Sequence, residues 1–306
     1  MRLLVTGGAG FIGSHLVERL VDGGHHVDVI DDLSSGSLGN LADARASRTG
    51  RLTIHQVDVR DPGVPDLMVR REPEVVFHLA ARADAGSFDE SVADAEVNVG
   101  GSVNVLEGAR RAGTRKVVFA SSGAAIYAPA TGAQLPLREK HPQQPLTPHG
   151  VAKKAVVDYL VAYRECHDLE FTTLVLAEVY GPRQRHGLVA EVLAAVAAAE
   201  PVELAADGAR TCDLVYVDDV VDAFIRAADK GSGLVANIGT GLETSIDELV
   251  EAAGEALGSE PVPVVAAGGP DGHLRFALDP GRARIHLGWS SWTSLSDGLV
   301  QAIDRG

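Results

Sequence analysis

The run Val5-Thr6-Gly7-Gly8-Ala9-Gly10-Phe11-Ile12-Gly13-Ser14-His15 constrains this chain more than any other stretch, because it joins an apolar strand, Leu3 to Val5, to an amphipathic helix through a glycine turn. Gly7, Gly10 and Gly13 recur at every third residue, so the backbone can bend tightly, approach an anion with no Cβ in the way, and seat the helix start against a sheet. Glycine makes up 34 of the 306 residues, so the spacing alone would be weak. Its context makes it specific: Phe11, Ile12, Leu16, Val17 and Leu20 fall at helical intervals, and after Gly23-Gly24 a second strand, Val27 to Ile30, ends in Asp31. The helix N-terminus would offer unpaired N–H groups and the positive end of its dipole to a pyrophosphate. Asp31 stands where a carboxylate accepts hydrogen bonds from both hydroxyls of an adenosine ribose and repels a 2′-phosphate; the plainer reading is a strand-end residue. The turn predicts a dinucleotide cofactor, NAD rather than NADP.

Up to about Phe171 short β-rich runs alternate with helical ones, the pattern of a parallel sheet covered on both faces. Candidate strands are Leu3–Val5, Val27–Ile30, Thr53–Val57, Val75–His78, Lys116–Ala120 and Thr172–Leu176, giving an α/β, Rossmann-type doubly wound sheet. Asp58 follows the third strand and is placed either to meet the adenine edge or to cap the segment from Arg60 to Val64. His78-Leu79-Ala80-Ala81 closes the fourth strand with small residues, where backbone would pass close to the cofactor.

Beyond Thr172 loops rich in Gly, Pro and Arg, such as Gly181-Pro182-Arg183-Gln184-Arg185-His186-Gly187, lead into a helix from Val189 to Ala199. Asp218-Asp219-Val220 reads as an N-capped helix start, Ser245-Ile246-Asp247-Glu248 as a capping box, and Pro261 to Asp271 as a surface loop. Insertions of this kind build substrate pockets. The division expected is a cofactor domain over 1–171 and a smaller α+β substrate lobe over 172–306, with segments near 212–240 returning to the first domain.

A formal charge of -15 argues against nucleic acid or an anionic membrane as partner, since such binding needs clustered Lys and Arg. Cys166 and Cys212 match no metal spacing and no disulfide framework, which implies no metal site and a reduced, cytoplasmic setting. No run is apolar enough for long enough to span a bilayer, and the opening residues read as a strand rather than as a cationic start followed by a cleavable apolar segment, so a targeting leader is not expected.

Taken together, Thr6-Gly7-Gly8-Ala9-Gly10-Phe11-Ile12-Gly13, Asp31-Asp32-Leu33-Ser34-Ser35-Gly36, His78-Leu79-Ala80-Ala81, Asn98-Val99, Ala120-Ser121-Ser122-Gly123, Val179-Tyr180-Gly181-Pro182-Arg183-Gln184 and Val215-Tyr216-Val217-Asp218-Asp219-Val220 resemble the extended short-chain dehydrogenase/reductase family, most closely its nucleotide-sugar 4-epimerases. The resemblance spans essentially the whole chain. It implies tightly held NAD and a homodimer formed through two long helices of the cofactor lobe. On the cofactor side it carries Gly7, Gly10, Phe11, Ile12, Gly13, Asp31, Asp32, Asp58, Val59, Leu79, Ala80, Ala81, Asn98 and Lys153. On the substrate side it carries Ser122, Gly123, Glu178, Arg183, Cys212 and Arg275.

In that family a Ser or Thr, a Tyr and a Lys surround the reacting carbinol, the last two spaced Tyr-x-x-x-Lys on a helix. The tyrosinate takes the hydroxyl proton, the lysine holds the nicotinamide ribose and lowers the tyrosine pKa, and the Ser/Thr steadies the reacting oxygen. Here Ser122 and Lys153 match, but the tyrosine position holds His149. Histidine can act as the base, with an ordinary pKa near 6.5 against about 10 for a phenol, or it can fill the space of a lost Tyr. Tyr127 is either a substitute acid/base or a packed core residue.

Further departures lie on the substrate side. Where the family commonly has an Asn before Val-Tyr-Gly-Pro-Arg-Gln this chain has Glu178, and where it has an Arg in Thr-Arg-Asp-Phe this chain has Cys212, in Thr211-Cys212-Asp213-Leu214. A family Arg before Pro-Gly is Gly269, before Pro270, here. These changes remove phosphate-gripping groups and add a repelling one; Arg210, Arg183, Arg185 or Arg275 would have to compensate. Gly123-Ala124-Ala125 also lacks the acidic residues by which family members dehydrate or decarboxylate. The chain is therefore expected to be an NAD-dependent sugar epimerase or oxidoreductase acting by transient hydride transfer from a secondary carbinol. Two alternatives stand beside this: the same redox chemistry on a non-nucleotide sugar, aminocyclitol or nucleoside, and a catalytically silent NAD-binding protein.

Overall fold

The structure is a computed structural model that describes residues 1–82, 90–127, 134–204, 210–266 and 275–304. Its first half runs β1 (Arg2–Thr6), α1 (Phe11–Asp22), β2 (His26–Asp31), α2 (Ala42–Ala46), β3 (Arg51–Gln56), α3 (Val64–Arg71), β4 (Val75–His78), α4 (Ser91–Ala95), a π-helical segment Glu96–Gly101, α5 (Ser102–Ala112), β5 (Lys116–Ser122) and α6 (Gly123–Ile126). The second half runs α7 (Pro148–His167), β6 (Glu170–Leu176), β7 (Glu178–Tyr180), α8 (Leu188–Ala198), β8 (Val202–Leu204), β9 (Thr211–Cys212), β10 (Leu214–Tyr216) and α9 (Val217–Asp229). It closes with β11 (Leu234–Ile238), β12 (Thr244–Ser245), α10 (Ile246–Leu257), β13 (Val264–Ala266), α11 (Gly281–Leu287) and α12 (Leu295–Asp304).

Seven of the strands form one parallel sheet in the order β11-β6-β5-β4-β1-β2-β3. The order reverses between β1 and β4, where a crevice opens beyond the carboxyl ends of the strands. The central strands are buried on both faces because helices cover both: Leu3, Val5, Phe77 and Val118 pack in one apolar cluster, and Leu4, Val76, Val117 and Phe119 in the other. This alternation is what continuous Val- and Leu-rich strands allow. On α1, Leu16, Val17, Leu20 and Val21 are buried, each such side chain contributing about 1.5–3 kcal/mol.

The expected strands all appear, with ends shifted by a residue or two. β6 crosses the expected division at residue 171, and β11 pairs with it from Leu234↔Thr172 to Ile238↔Leu176, so the chain does return to the large sheet late in its sequence. The smaller lobe is made of two-stranded pairings, β7 with β10, β9 with β12 and β8 with β13, together with helices such as α8 and α10, which pack together. Two local expectations are corrected. Val264–Ala266, expected within a loop, forms a strand because its backbone pairs in parallel with Val202–Leu204; residues 267–271 of that loop lie outside the described residues. Asp218 and Asp219 do not cap α9: its N-cap is Tyr216, and Asp219 turns inward to accept hydrogen bonds from Trp292 N, Thr293 N and Thr293 Oγ1. The capping box at Ser245 and Glu248 forms as expected, at the start of α10.

Candidate active site

The glycine turn sits at the crevice. Gly7 has φ +69, and a Cβ on it would lie 2.7 Å from Ala80 N, so the β1 and β4 ends touch through backbone alone. A Cβ on Gly13 would lie 2.1 Å from Gly7 O, which locks the start of α1 under the turn. Gly10 differs: its nearest neighbour would be Gly7 O at 3.3 Å, leaving space over the helix end. No side chain caps α1, so its first-turn amides, among them Phe11, Ile12 and Gly13, are left for a ligand. Asp31 lies beside this space. Its Oδ2 accepts from Ala9 N at 2.8 Å and its Oδ1 from Leu33 N at 2.8 Å, fixing the carboxylate while each oxygen keeps a lone pair for a ribose hydroxyl. Burial pushes its pKa up, and the two backbone donors oppose that. Asp32 takes up Ser34 instead. These residues fit NAD.

Behind the cradle His78 is fully buried, with Nδ1 2.7 Å from Thr6 Oγ1 and Nε2 2.8 Å from Ser102 Oγ. The donors set its tautomer. Ser102 donates to Asn98 O and therefore accepts from Nε2–H, so Nδ1 accepts from Thr6. Burial lowers the His78 pKa to about 3, which keeps it neutral in this chain of bonds. Two cofactor-side residues also make contacts within the protein. Asp58 accepts from the backbone N–H and the guanidinium of Arg60 in the turn after β3. Val59 packs against Gly101, where a Cβ would come within 2.6 Å of Val59 Cγ2, and so supports the π-helical segment from below.

The proton-transfer candidates come together through α7. Thr147 caps this helix, its hydroxyl accepting from Gly150 N, and Pro148 occupies the first turn. A Cβ on Gly150 would lie 2.1 Å from Ala125 O, so only glycine lets the helix start approach α6 and the end of β5. His149 and Lys153 are four residues apart and share a face. Lys153 is buried and donates from Nζ to Ala120 O at 2.9 Å, two residues before Ser122 at the end of β5; burial lowers its pKa to about 8, with Asp94 opposing.

His149 Nδ1 lies 3.0 Å from Arg82 O. A carbonyl can only accept, so this shorter contact puts the proton on Nδ1, the Asn98 amide 3.4 Å away being turned to Arg82 O and Asp94, and Nε2 keeps a lone pair. Burial, and next the Lys153 charge, lower the imidazole pKa, which favours this neutral form. Asn98 braces the same loop: it accepts from Arg82 N at 2.8 Å and donates to Arg82 O at 2.9 Å and to Asp94 Oδ1 at 2.6 Å. Asn98 thus acts through protein contacts that its cofactor-side reading did not include. Its setting is the π-helical segment, a widened turn of a kind found at functional sites. Tyr127 takes the core reading: it is 3 % exposed, donates to Asn237 Oδ1 at 2.9 Å, and burial raises its pKa.

On the substrate side Gly123 opens toward the smaller lobe, where a Cβ would meet Leu278 and Phe276 at 2.9 Å. Glu178 on β7 and Cys212, just before β10, lie close enough to interact electrostatically. Burial raises the Glu178 pKa with Arg210 opposing, and burial and then Glu178 push the Cys212 thiol up to about 12. Cys212 Sγ lies 3.8 Å from Thr244 O. Arg210 is therefore the cation that meets this pair. Arg275 is held nearby by Glu243, which also accepts from Thr211 Oγ1 at 2.8 Å. Arg183 departs from its expected place. Its guanidinium is 2.6 Å from Glu18 and 3.7 Å from Asp43, because the loop after β7 docks on α1, where His15 Nε2 meets Pro182 O at 2.9 Å. It lines a polar cleft of about 440 Å³ with His15, Glu18 and Asp218. Gly269 and Pro270 lie outside the described residues.

The family model described as the NAD dependent epimerase/dehydratase family matches residues 3–239. The chain belongs to that family. Among similar proteins, UDP-glucose 4-epimerase of Mycolicibacterium smegmatis is 42% identical over 310 residues, covering 99% of this chain and 98% of the relative. The crystal structure of UDP-glucose 4-epimerase from Thermotoga maritima with UDP-glucose superposes with a TM-score of 0.91 at 36% identity, covering 100% of this chain and 98% of that one. The Thermus thermophilus UDP-glucose 4-epimerase complex with NAD gives 0.89 at 35% identity, with the same coverage. The fold, the NAD dependence and the epimerase class expected from the sequence are those of the family, and the chain is an enzyme of it. In this epimerase the sequence reading missed Asp94 and the Arg82 carbonyl beside His149. Asp94 had a signal, since it lies four residues before Asn98 and shares its helix face. A main-chain carbonyl has none. Among the described residues no helix is long and apolar enough to cross a membrane.

Proposed function

We propose that this enzyme interconverts the two configurations at C4 of a sugar carried on uridine diphosphate, with His149 as the proton-transfer group. The observation that carries this reading is the His149 imidazole, neutral and protonated on Nδ1 by its bond to Arg82 O, with Nε2 free and Lys153 one turn further along α7. NAD held at the glycine turn and Asp31 would supply the hydride-transfer chemistry. His149 Nε2 takes the C4 hydroxyl proton as the hydride leaves and gives it back when hydride returns to the other face of the turned keto sugar. Ser122 steadies the reacting oxygen, and Lys153 holds the nicotinamide ribose and disfavours a resting imidazolium by its charge.

The substrate class rests on the UDP-sugars named for the similar proteins, and on Arg210 standing beside Glu178 and Cys212 as a replacement phosphate grip. The partly buried Glu178 carboxylate favours a second reading, the same chemistry on a sugar without the diphosphate. Incubation with UDP-galactose, and separately with a panel of free sugars, aminocyclitols and nucleosides, decides between them. Conversion to UDP-glucose is expected; conversion only of a non-nucleotide substrate would replace the first reading by the second. Apolar side chains exposed along α4 and α7, Val92, Val151, Tyr159 and Val161, with Leu146 just before α7, support a homodimer through these helices. The reduced cysteines favour a cytoplasmic enzyme.

A further inference from the structure

Outside the residues already assigned, a buried carboxylate stands against the proton-transfer group with part of its hydrogen-bonding capacity unused. Asp94 of α4 is 7 % exposed, and its Oδ1 lies 3.8 Å from His149 Nδ1. Oδ1 accepts from Asn98 Nδ2 at 2.6 Å, while Oδ2 is buried with no hydrogen-bond partner among the described residues. A buried, unpaired carboxylate oxygen is costly, and it is tolerated where a positive charge forms or sits close by. Two groups can supply that charge: Lys153, and His149 once it has taken a proton. The amide protons of Asn98 are spent on Arg82 O and on Asp94, so Asn98 fixes the carboxylate and the Arg82 carbonyl in one arrangement around the same imidazole nitrogen.

We infer that Asp94 is the positioning residue of His149: with the Arg82 carbonyl it holds the imidazole protonated on Nδ1, and it offsets the charge the ring gains each time Nε2 takes the sugar proton. The inference rests on the reading of His149 as the base. The step balances within the reaction already proposed. The O4–H bond breaks and an Nε2–H bond forms as hydride leaves C4 for the cofactor, and both are reversed on return. Asp94 exchanges no proton and acts only through its negative charge. A phenol at position 149 would need the opposite, because a nearby carboxylate opposes ionisation of a phenol while it favours an imidazolium. Asp94 therefore suits a histidine and hinders a tyrosine.

The charged groups facing His149 are few. Lys153 comes from its own helix and Asp94 from α4; the Arg82 guanidinium pairs with Glu90. Glu96 of the π-helical segment lies toward Arg60, Glu107 of α5 pairs with Arg110, and α6 contributes no charged residue. On β5, Lys116 donates to Lys230 O, and on β6 Glu170 lies beside Arg164.

The test compares Asp94→Asn in two backgrounds, wild type and His149→Tyr, assayed with UDP-galactose, with the His149 pKa followed by NMR of ¹⁵N-histidine-labelled, NAD-loaded protein. In the wild-type background Asp94→Asn should lower kcat by about tenfold or more, the scale of a lost charge contact to the imidazolium, and lower the His149 pKa while NAD binding and Tm stay near wild type. In the His149→Tyr background the same change should leave activity unchanged or raise it. An equal loss in both backgrounds would make Asp94 a structural residue and overturn the inference, as would an unmoved His149 pKa. If Asp94→Asn does not fold, Asp94→Ser removes the same charge from a smaller side chain and is read in the same way. His149→Phe separates the layers: full activity in that variant removes the base reading and this inference with it, whereas loss of activity there with no effect of Asp94→Asn removes the inference alone.

Discussion

At the N-terminus of α1 the chain offers a ligand its backbone, whereas at the N-terminus of α7 it offers side chains. The first site is made by residues that lack a Cβ, held so tightly that Gly7 and Gly13 have no room for one. The second is assembled from four places in the sequence: the Arg82 carbonyl, Asp94 with Asn98, Ser122 at the end of β5, and the pair His149 and Lys153. Backbone cradles tolerate no substitution at their contacts and bind whatever presents a diphosphate. Side-chain sites depend on which residues their neighbours are, and in the site proposed here His149 is set against Asp94 and Lys153. One region is built from backbone at close quarters; the other is built from side chains that long-range packing brings together.

The comparison can be broken at several points. The largest effect is expected from Gly13→Ala, whose Cβ would fall 2.1 Å from Gly7 O. Since backbone on both sides blocks relief, the variant should lose NAD binding in a fluorescence titration; near wild-type affinity would mean the turn is not the cradle. Asp31→Ala removes a side chain from an otherwise backbone site, so NAD should still bind, with its preference over NADP narrowed by about tenfold, the scale of lost charge-assisted hydrogen bonds. Equal affinity for both cofactors in the unaltered enzyme would remove the ribose role of Asp31. The smallest effect belongs to Arg183→Ala. Its partly buried pair with Glu18 joins the loop after β7 to α1 and should be worth about 1 kcal/mol in thermal unfolding, with KM for the sugar unchanged. A raised KM would return Arg183 to the substrate side.

The same contrast explains what the sequence discloses. Gly7, Gly10, Gly13 and Asp31 lie within a short span, so their spacing carries the geometry, and the alternation of strand and helix carries the sheet. The His149 departure is legible because Lys153 and Gly150 remain in register around it. The Arg82 carbonyl is not, and Asp94, although four residues before Asn98, reaches His149 only because α4 packs on α7. The contacts of Arg183 are hidden for a related reason: its motif follows β7, and its loop docks on α1 through Glu18 and the His15–Pro182 contact, a pairing no local spacing announces. β11 shows the limit again, because nothing local to Leu234–Ile238 says that it will pair with β6 at the edge of the large sheet.

The proton-transfer role of His149 is tested most directly by the dependence of kcat on pH, measured in the wild-type enzyme and in His149→Phe. Burial and the Lys153 charge lower the His149 pKa, so the neutral, accepting form should persist to pH values below the ordinary imidazole value of about 6.5. Turnover should then be steady at neutral pH and fall as pH drops through the lowered pKa. His149→Phe should bind NAD as before, lose about 10²-fold or more in kcat, and lose that acid limb. A His149→Phe enzyme that turns over at the wild-type rate with the same acid limb would contradict the account.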